Sequence, residues 1–425
     1  MRTVPSGQVV FRRSVILLGG SLMAMILWFV LQDPAEGLRA DWVSFDNAGS
    51  RLVNGETIYR PWNGTTEPFP YLYPPFALWL ALPLAFGGFY TSLVMSVAFT
   101  FGAFLGGIKL LTRVATSGDL PLPTPAAVTT GIIAAVTTGA AFNSSLIGQY
   151  SGVYVFAVGL GLWLYANDRP VLGGMALSIL LLKPNIAIAI PVVLVWSRSW
   201  KSLLGFSAGS VLAFVASIPF GLEQWSGFIT NVRQIADFQA EGIIPTERMI
   251  TFNAMFEELF GTSPESLVGV GAWLIFTGLT GVATLVVWTP SRLRESPQRA
   301  FCVLAIFVII ANPRMFFYDG TLVVFGVVGL WLLPAGVLGE RTRHVFPVVG
   351  AILWLASWGG AFTILNLLVA PVGALLIVLV AIEAFTQSGR GEGESFEDEV
   401  VPDIDFDTSV GQGASWGDGP AAAAA

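Results

Sequence analysis

The sequence predicts an all-α polytopic membrane protein. Of its 425 residues, 54% are hydrophobic and 12% are charged, and the mean hydropathy is +0.72. Repeated long apolar runs with this composition are typical of chains that cross a bilayer many times. Only helices and closed barrels satisfy their own backbone hydrogen bonds in lipid. The apolar runs are continuous rather than alternating, which indicates helices.

The apolar runs divide residues 1–390 into about twelve transmembrane helices. The first run, 14–31, follows three arginines, which places the N-terminus in the cytoplasm. The later runs are 89–112, 125–142, 150–166, 171–196, 202–219, 266–289, 300–311, 321–338, 345–359 and 361–384. We expect two short helices within 171–196, because Pro184 ends one helix and begins the next.

The run 72–87 decides the topology, because it is too short to be an ordinary span. It contains Pro83, whereas a span needs about 20 residues. We therefore predict a short re-entrant helix that dips into the outer leaflet. If this run were a full span, Lys109 and Arg113 would move outside, against the positive-inside bias. The predicted topology leaves two larger exterior loops, at about 32–70 and 220–264.

The C-terminal residues 391–425 differ from the rest of the chain. They contain nine acidic residues, no basic residue and few large apolar residues, which predicts a disordered cytoplasmic tail. Without these acids the net charge changes from −7 to +2. One cysteine and one histidine exclude an intrachain disulfide and offer no zinc or haem spacing. No D-x-D motif occurs in the frame, so we expect no metal. We also expect no cofactor and no nucleic-acid partner.

The polar residues that the apolar frame carries converge on its predicted outer face. The candidate binding residues are Asp46, Tyr71, Tyr73, Gln149, Lys183, Arg314, Tyr318 and Asp319. A charge at membrane depth costs about 2.5–3.5 kcal/mol, so Lys183 in the middle of an apolar run requires an explanation. It either snorkels from a helix end, or it holds a phosphate or pairs with a carboxylate. Arg314 is either a site residue or an interfacial arginine paired with Asp319.

Asp41 is the candidate catalytic residue. It stands beside Trp42 at the start of a predicted helix, close to the membrane surface. A partly desolvated carboxylate has a raised pKa and is a stronger base, so we predict that Asp41 acts as a general base. The alternative is that Asp41 only caps the helix. Asp46 follows five residues later, to the side of Asp41, and is expected to cap or to position.

The residues of the first loop also resemble a known family. The pattern D-W-x-x-F-x-x-A-G begins at Asp41, and F-P-Y-L-Y-P-P-F-A runs over residues 69–77. These motifs resemble polyprenol-phosphate-mannose-dependent mannosyltransferases of the GT-C superfamily, in particular glycosyltransferase family 87. Gly148-Gln149 and Lys183-Pro184 resemble later family elements, and the matching parts span about residues 15–335.

The resemblance implies an enzyme that transfers a hexose to an acceptor hydroxyl at the outer face, with mannose as the expected sugar. The transfer would invert the anomeric carbon. The donor would be a polyprenyl-phosphate sugar, and the acceptor a glycolipid, a lipid-linked glycan or a glycoprotein. Asp41 occupies the position of the family's catalytic base. Family members often carry an exterior-loop histidine, and here we expect Tyr318-Asp319 to stand in that place. The alternatives are a secondary transporter, which helices broken at proline and a buried lysine also fit, and a non-catalytic scaffold for envelope assembly.

Overall fold

The computed structural model is all-helical in its described residues, as the continuous apolar runs predict. It describes residues 40–60, 70–117, 125–141, 144, 148–240, 249–261, 266–334, 337–357 and 363–394. Every regular element in these ranges is a helix, and one isolated bridge pairs Met249 with Phe316. The predicted first span, 14–31, lies outside the described residues. The same holds for 395–425, whereas 391–394 of the predicted tail are helical.

The first five helices are α1 (Ala40–Val53), α2 (Pro75–Phe86), α3 (Gly88–Ser117), α4 (Pro125–Val136) and α5 (Ser151–Ala166). Four of these five helices match predicted runs, and α1 lies within the predicted loop 32–70, at the helix start predicted near Asp41. The α2 helix is short, as predicted, and it is built of two 3₁₀ segments around one α-helical turn. The Trp79 indole of α2 donates a hydrogen bond to the carbonyl oxygen of Ala216, at 2.7 Å. Whether α2 is re-entrant stays a prediction.

The next five helices include the predicted break at Lys183-Pro184, which is confirmed. They are α6 (Pro170–Leu182), α7 (Pro184–Trp196), α8 (Trp200–Phe220), α9 (Glu223–Ala240) and α10 (Phe252–Phe260). Lys183 has φ −131° and ψ 86°, outside the helical range, because the proline that follows disfavours a helical residue before it. The sequence predicted a loop over 220–264, but α9 and α10 lie within it.

Six helices complete the described chain. They are α11 (Leu267–Val287), α12 (Pro290–Glu295), α13 (Pro297–Ile310), α14 (Phe317–Trp331), α15 (Glu340–Ala356) and α16 (Thr363–Glu394). The α13 and α14 helices are largely buried and carry much of the core. A compact unit ends at Phe385, within α16.

Four helices of the described ranges are long and apolar enough to cross a membrane. They are Thr91–Thr116, Trp200–Phe220, Leu267–Val287 and Leu365–Gln387. Six other apolar helices are shorter, with 10–17 residues. The chain is therefore an all-α membrane protein, while the predicted count of about twelve spans stays a prediction.

Glycines allow two pairs of helices to pack in close contact. A Cβ atom at Gly152 of α5 would clash with the Thr100 carbonyl of α3. A Cβ atom at Gly174 of α6 would clash with the Ser202 carbonyl of α8. Small residues at crossings are the usual means by which membrane helices approach closely. These contacts fix α5, which begins just after Gln149, and α6, which ends just before Lys183.

Candidate functional site

An aromatic cluster joins the first loop to the start of α5. The Phe45 ring on α1 lies 4.4 Å from the ring centroids of both Tyr73 and Tyr150 and 5.2 Å from that of Tyr71. Edge-to-face and tilted ring pairs at such distances are favourable beyond the area they bury. The cluster therefore holds α1 against the Tyr71–Tyr73 segment and against Tyr150.

Hydrogen bonds fix Tyr73 of this cluster and join it to Tyr59. The Tyr73 hydroxyl donates to Oε1 of Gln149 at 2.7 Å, and the Tyr59 hydroxyl donates to the Tyr73 carbonyl at 2.7 Å. The Asn231 amide of α9 reaches the Tyr71 carbonyl at 3.5 Å, so the second polar loop covers the first. The structure thus brings together the predicted residues Tyr73 and Gln149, 76 positions apart.

The Tyr71 hydroxyl is different, because it is buried and has no hydrogen-bond partner among the described residues. Burial also raises the pKa of the Tyr71 phenol well above its ordinary value, so the group stays protonated. Most buried polar groups in folded proteins are hydrogen-bonded, and an exception calls for an explanation. A neutral donor held ready for a ligand is consistent with the predicted binding role of Tyr71.

A buried ion pair forms the second part of the site. Nζ of Lys183 lies 2.6 Å from Oδ2 of Asp319, and the Lys183 ammonium also lies 5.6 Å from the ring centroid of Tyr318. The Asp319 side chain is fully buried, whereas that of Lys183 is 20% exposed. Of the alternatives for Lys183, pairing with a carboxylate is the one observed. Arg314 was one predicted ion-pair partner of Asp319, but the structure pairs Asp319 with Lys183.

Two further donors hold the Asp319 carboxylate in place. The backbone N–H of Phe316 donates to Oδ2 at 3.3 Å, and the Ser151 hydroxyl donates to Oδ1 at 3.4 Å. A buried carboxylate is tolerated when it is paired and hydrogen-bonded in this way. Lys183 is therefore held by an acid that is itself fixed at the start of α14.

The two parts of the site meet at three consecutive residues. Gln149 accepts the hydrogen bond of Tyr73, Tyr150 packs on Phe45, and Ser151 contacts Asp319. Gly148, with φ +80°, makes the turn that leads into this stretch. The predicted Gly-Gln pair therefore lies between the aromatic cluster and the ion pair.

An asparagine pair supports the helix break beside Lys183. Asn312 donates through Nδ2 to the Asn185 carbonyl at 3.0 Å, and Asn185 donates to Oδ1 of Asn312 at 3.3 Å. Oδ1 of Asn312 also accepts the backbone N–H of Arg314, at 3.1 Å. These bonds tie the 183–185 break to the 312–314 turn, and both turns carry predicted site residues.

Of the two aspartates of α1, the structure describes the side chain of Asp46 but only the backbone of Asp41. Asp41 lies in the first turn, four positions before Phe45, so positions 41 and 45 share a face of the helix. The Asp41 side chain lies outside the described part of the chain. The half-buried Asp46 has a pKa raised by burial, an effect that a hydrogen bond from Ser92 opposes. The catalytic role of Asp41 and the positioning role of Asp46 stay predictions.

The structure places Tyr318 and Arg314 at the edge of the site. Tyr318 lies under the Lys183 ammonium, and its ring stacks on Phe316 at 5.4 Å. Arg314 is half-buried in the turn that precedes Asp319. Sequence reasoning missed Ser151, Asn185 and Asn312, although Asn185 directly follows the Lys-Pro pair.

No cluster of three or more His, Cys, Asp or Glu side chains that could hold a metal occurs in the described ranges. Metal independence stays a prediction, since parts of the first loop fall outside those ranges. The arrangement offers a cation, a neutral phenol and amide groups around one polar junction. Such groups bind an anionic or hydroxyl-rich ligand.

One comparison with known proteins matches the middle of the chain. A family model described as glycosyltransferase family 87 matches residues 71–313, which is more than half of the chain. The match includes Tyr71, Tyr73, Gln149 and Lys183. No curated protein sequence matches the chain.

Proposed function

We propose a specific reaction for this chain, which belongs to glycosyltransferase family 87. In this proposal the chain transfers a hexose, with mannose as the expected sugar, from a polyprenyl-phosphate carrier to an acceptor hydroxyl. Membership makes the chain a membrane glycosyltransferase. The donor, the sugar, inversion at the anomeric carbon and action at the outer face are parts of the proposal. The acceptor class is a glycolipid, a lipid-linked glycan or a glycoprotein.

The observation that carries the proposal is the junction at residues 149–151. It connects the aromatic cluster under α1 to the Lys183–Asp319 pair. A transferase of this type needs a base on one side of the anomeric carbon and a cation at the departing phosphate on the other. The α1 helix carries the proposed base Asp41, and the ion pair supplies the cation.

Lys183 can serve a phosphate without leaving Asp319. An ammonium group has three N–H donors, and the contact with Oδ2 of Asp319 uses one of them. The side chain is 20% exposed, and in this proposal its remaining donors contact the phosphate. The fixed carboxylate orients the ammonium and limits its motion, which favours a preorganised phosphate site.

The proposed reaction is a single displacement. Asp41 takes the proton of the acceptor hydroxyl while the acceptor oxygen forms a bond to the anomeric carbon. The bond between that carbon and the phosphate oxygen breaks, and the polyprenyl monophosphate leaves with the electron pair beside Lys183. One displacement from the opposite side inverts the anomeric carbon. The Tyr71 hydroxyl and Gln149 would contact the sugar.

The test uses purified full-length protein in nanodiscs with labelled polyprenyl-phosphate-mannose, the matching glucose donor, and acceptor lipids extracted from envelopes. Transfer of labelled mannose, with loss of transfer in Asp41→Asn, supports the proposal. In a parallel assay with the protein in liposomes, accumulation of free sugar in the lumen without any transfer would indicate a transporter instead. Transfer of glucose alone would keep the enzyme class and reject mannose.

A further inference from the structure

A cavity lined by several basic side chains lies at the end of α6 remote from Lys183. It has a volume of about 480 Å³ and gathers the end of α5, the start of α6, the turn before α8 and the start of α12. The α6 helix separates the cavity from Lys183 by about 20 Å, given its length and a rise of about 1.5–2.0 Å per residue. The cavity is therefore distinct from the candidate catalytic site.

The lining of the cavity is strongly basic. It includes Arg198, Lys201 and Arg294 and contains no acidic residue. None of these three side chains has a hydrogen bond or an ion pair with any residue in the described ranges. Three cations without an acidic partner repel one another, so an anion placed between them relieves that repulsion.

Backbone donors from α8 add to this positive field. Ser199 is the N-cap residue of α8, and its side chain makes no capping hydrogen bond. The first N–H groups of a helix lack intrahelical acceptors, and the helix dipole places partial positive charge there. The start of this long helix is thus uncapped by its own sequence.

A buried hydroxyl provides an independent sign of a ligand. Ser202 lines the cavity on the first turn of α8, is only 2% exposed, and its Oγ has no hydrogen-bond partner in the described chain. Buried hydroxyls without partners are uncommon in folded proteins. A helix N-terminus, a serine hydroxyl and several cations together form the donor set that phosphate groups prefer.

We propose that this cavity binds a phosphate group, as the headgroup of an anionic phospholipid or as free phosphate. The start of α8 is the end of a candidate membrane span, and Trp200 there is 60% exposed, as tryptophans at a bilayer interface often are. A lipid phosphate would lie at this level. The site would anchor the end of the frame opposite the catalytic junction.

The test measures the thermal midpoint of the full-length protein in a neutral detergent. One arm titrates short-chain phosphatidylglycerol against phosphatidylcholine, and the other titrates inorganic phosphate against chloride at equal ionic strength. Stabilisation by phosphatidylglycerol alone identifies a lipid headgroup, and stabilisation by both identifies phosphate itself. If neither ligand raises the midpoint above its control, the proposal is wrong.

Variants of the cavity make the result specific. Arg198→Gly removes a cation from the cavity, so it should weaken binding roughly five-fold. Arg198 has φ 55°, a backbone conformation that glycine adopts without strain, so the free protein should lose no stability. Ser202→Ala removes a hydroxyl that has no partner among the described residues, and it should likewise leave the free protein stable while weakening binding several-fold. Arg294→Ala should weaken binding as Arg198→Gly does.

Two controls exclude a general charge effect. Asp168→Gly relieves a comparable backbone strain at φ 58° but removes an acid, so binding should not fall. Arg113→Ala removes an exposed cation that does not line the cavity, and it should leave binding unchanged. If Arg113→Ala weakens binding as much as Arg198→Gly, the ligand senses overall charge and the cavity is not a site.

Discussion

Removing Lys183 alone should cost about 1 kcal/mol more stability than removing the whole ion pair. Lys183→Met leaves the fully buried Asp319 carboxylate without its cation. Breaking a buried pair in this way costs about 3–5 kcal/mol. The bonds from Phe316 and Ser151 still stabilise the anion, so we expect a loss near the lower end, about 3 kcal/mol.

The other variants complete a double-mutant cycle. Asp319→Asn leaves Lys183, which is 20% exposed and can turn toward solvent, so its loss should be about 1–2 kcal/mol. The double variant Lys183→Met/Asp319→Asn contains no buried charge and should lose about 2 kcal/mol. The singles and the double then differ by a coupling free energy of about 2–3 kcal/mol.

Dodecyl sulfate titration in mixed micelles measures these free energies of unfolding. The Glu56–Arg60 pair is a matched control, because its N–O distance is also 2.6 Å but both side chains are more than 40% exposed. Its coupling should stay below about 0.5 kcal/mol. Equal coupling in both pairs, or strict additivity at Lys183 and Asp319, would refute the reasoning. The double variant also separates the role of Lys183 in donor binding from its role in stability, because the variant should fold and yet bind the donor weakly.

Three other predictions concern the tyrosines of the site, a tight helix crossing and metal independence. Tyr73→Phe should lower the free energy of unfolding by about 1–2 kcal/mol, because it leaves Oε1 of Gln149 buried with one hydrogen bond fewer. Tyr71→Phe removes a hydroxyl that has no partner among the described residues, so it should keep full stability in thermal melts but lower transfer activity. Gly152→Ala should cost about 1–3 kcal/mol at its tight helix crossing, while Gly102→Ala, with open space around its Cβ, should be neutral in the same melts. Excess EDTA should leave transfer activity unchanged, and a loss that Mg²⁺ or Mn²⁺ restores would contradict metal independence.

The continuous apolar runs located most of the described helices to within a few residues. The start of α4 at Pro125 and the limits of α5 follow directly from composition and proline position. The break at Lys183-Pro184 was predictable for the same reason, because proline both ends and begins helices. Local sequence sets these features, so a local pattern reveals them.

Features that depend on tertiary contacts were less accessible. The α9 helix is rich in polar and charged side chains, so the sequence indicated a loop over 220–264, although Phe228 and Asn231 pack against the first loop. The partner of Asp319 is 136 residues away at Lys183, and no local spacing distinguishes it from Arg314. Ser151 became part of the site only because α5 lies against α14.

The central claim is that Asp41 is the general base of a glycosyl transfer, and single-turnover transfer by Asp41→Asn tests it most directly. General-base catalysis contributes about 10²–10⁴-fold, so Asp41→Asn should lose transfer by that factor while donor binding is kept. Asp46→Asn, five positions later on the same helix, should lose less. Near-normal transfer by Asp41→Asn, with transfer abolished in Asp46→Asn, would contradict the account.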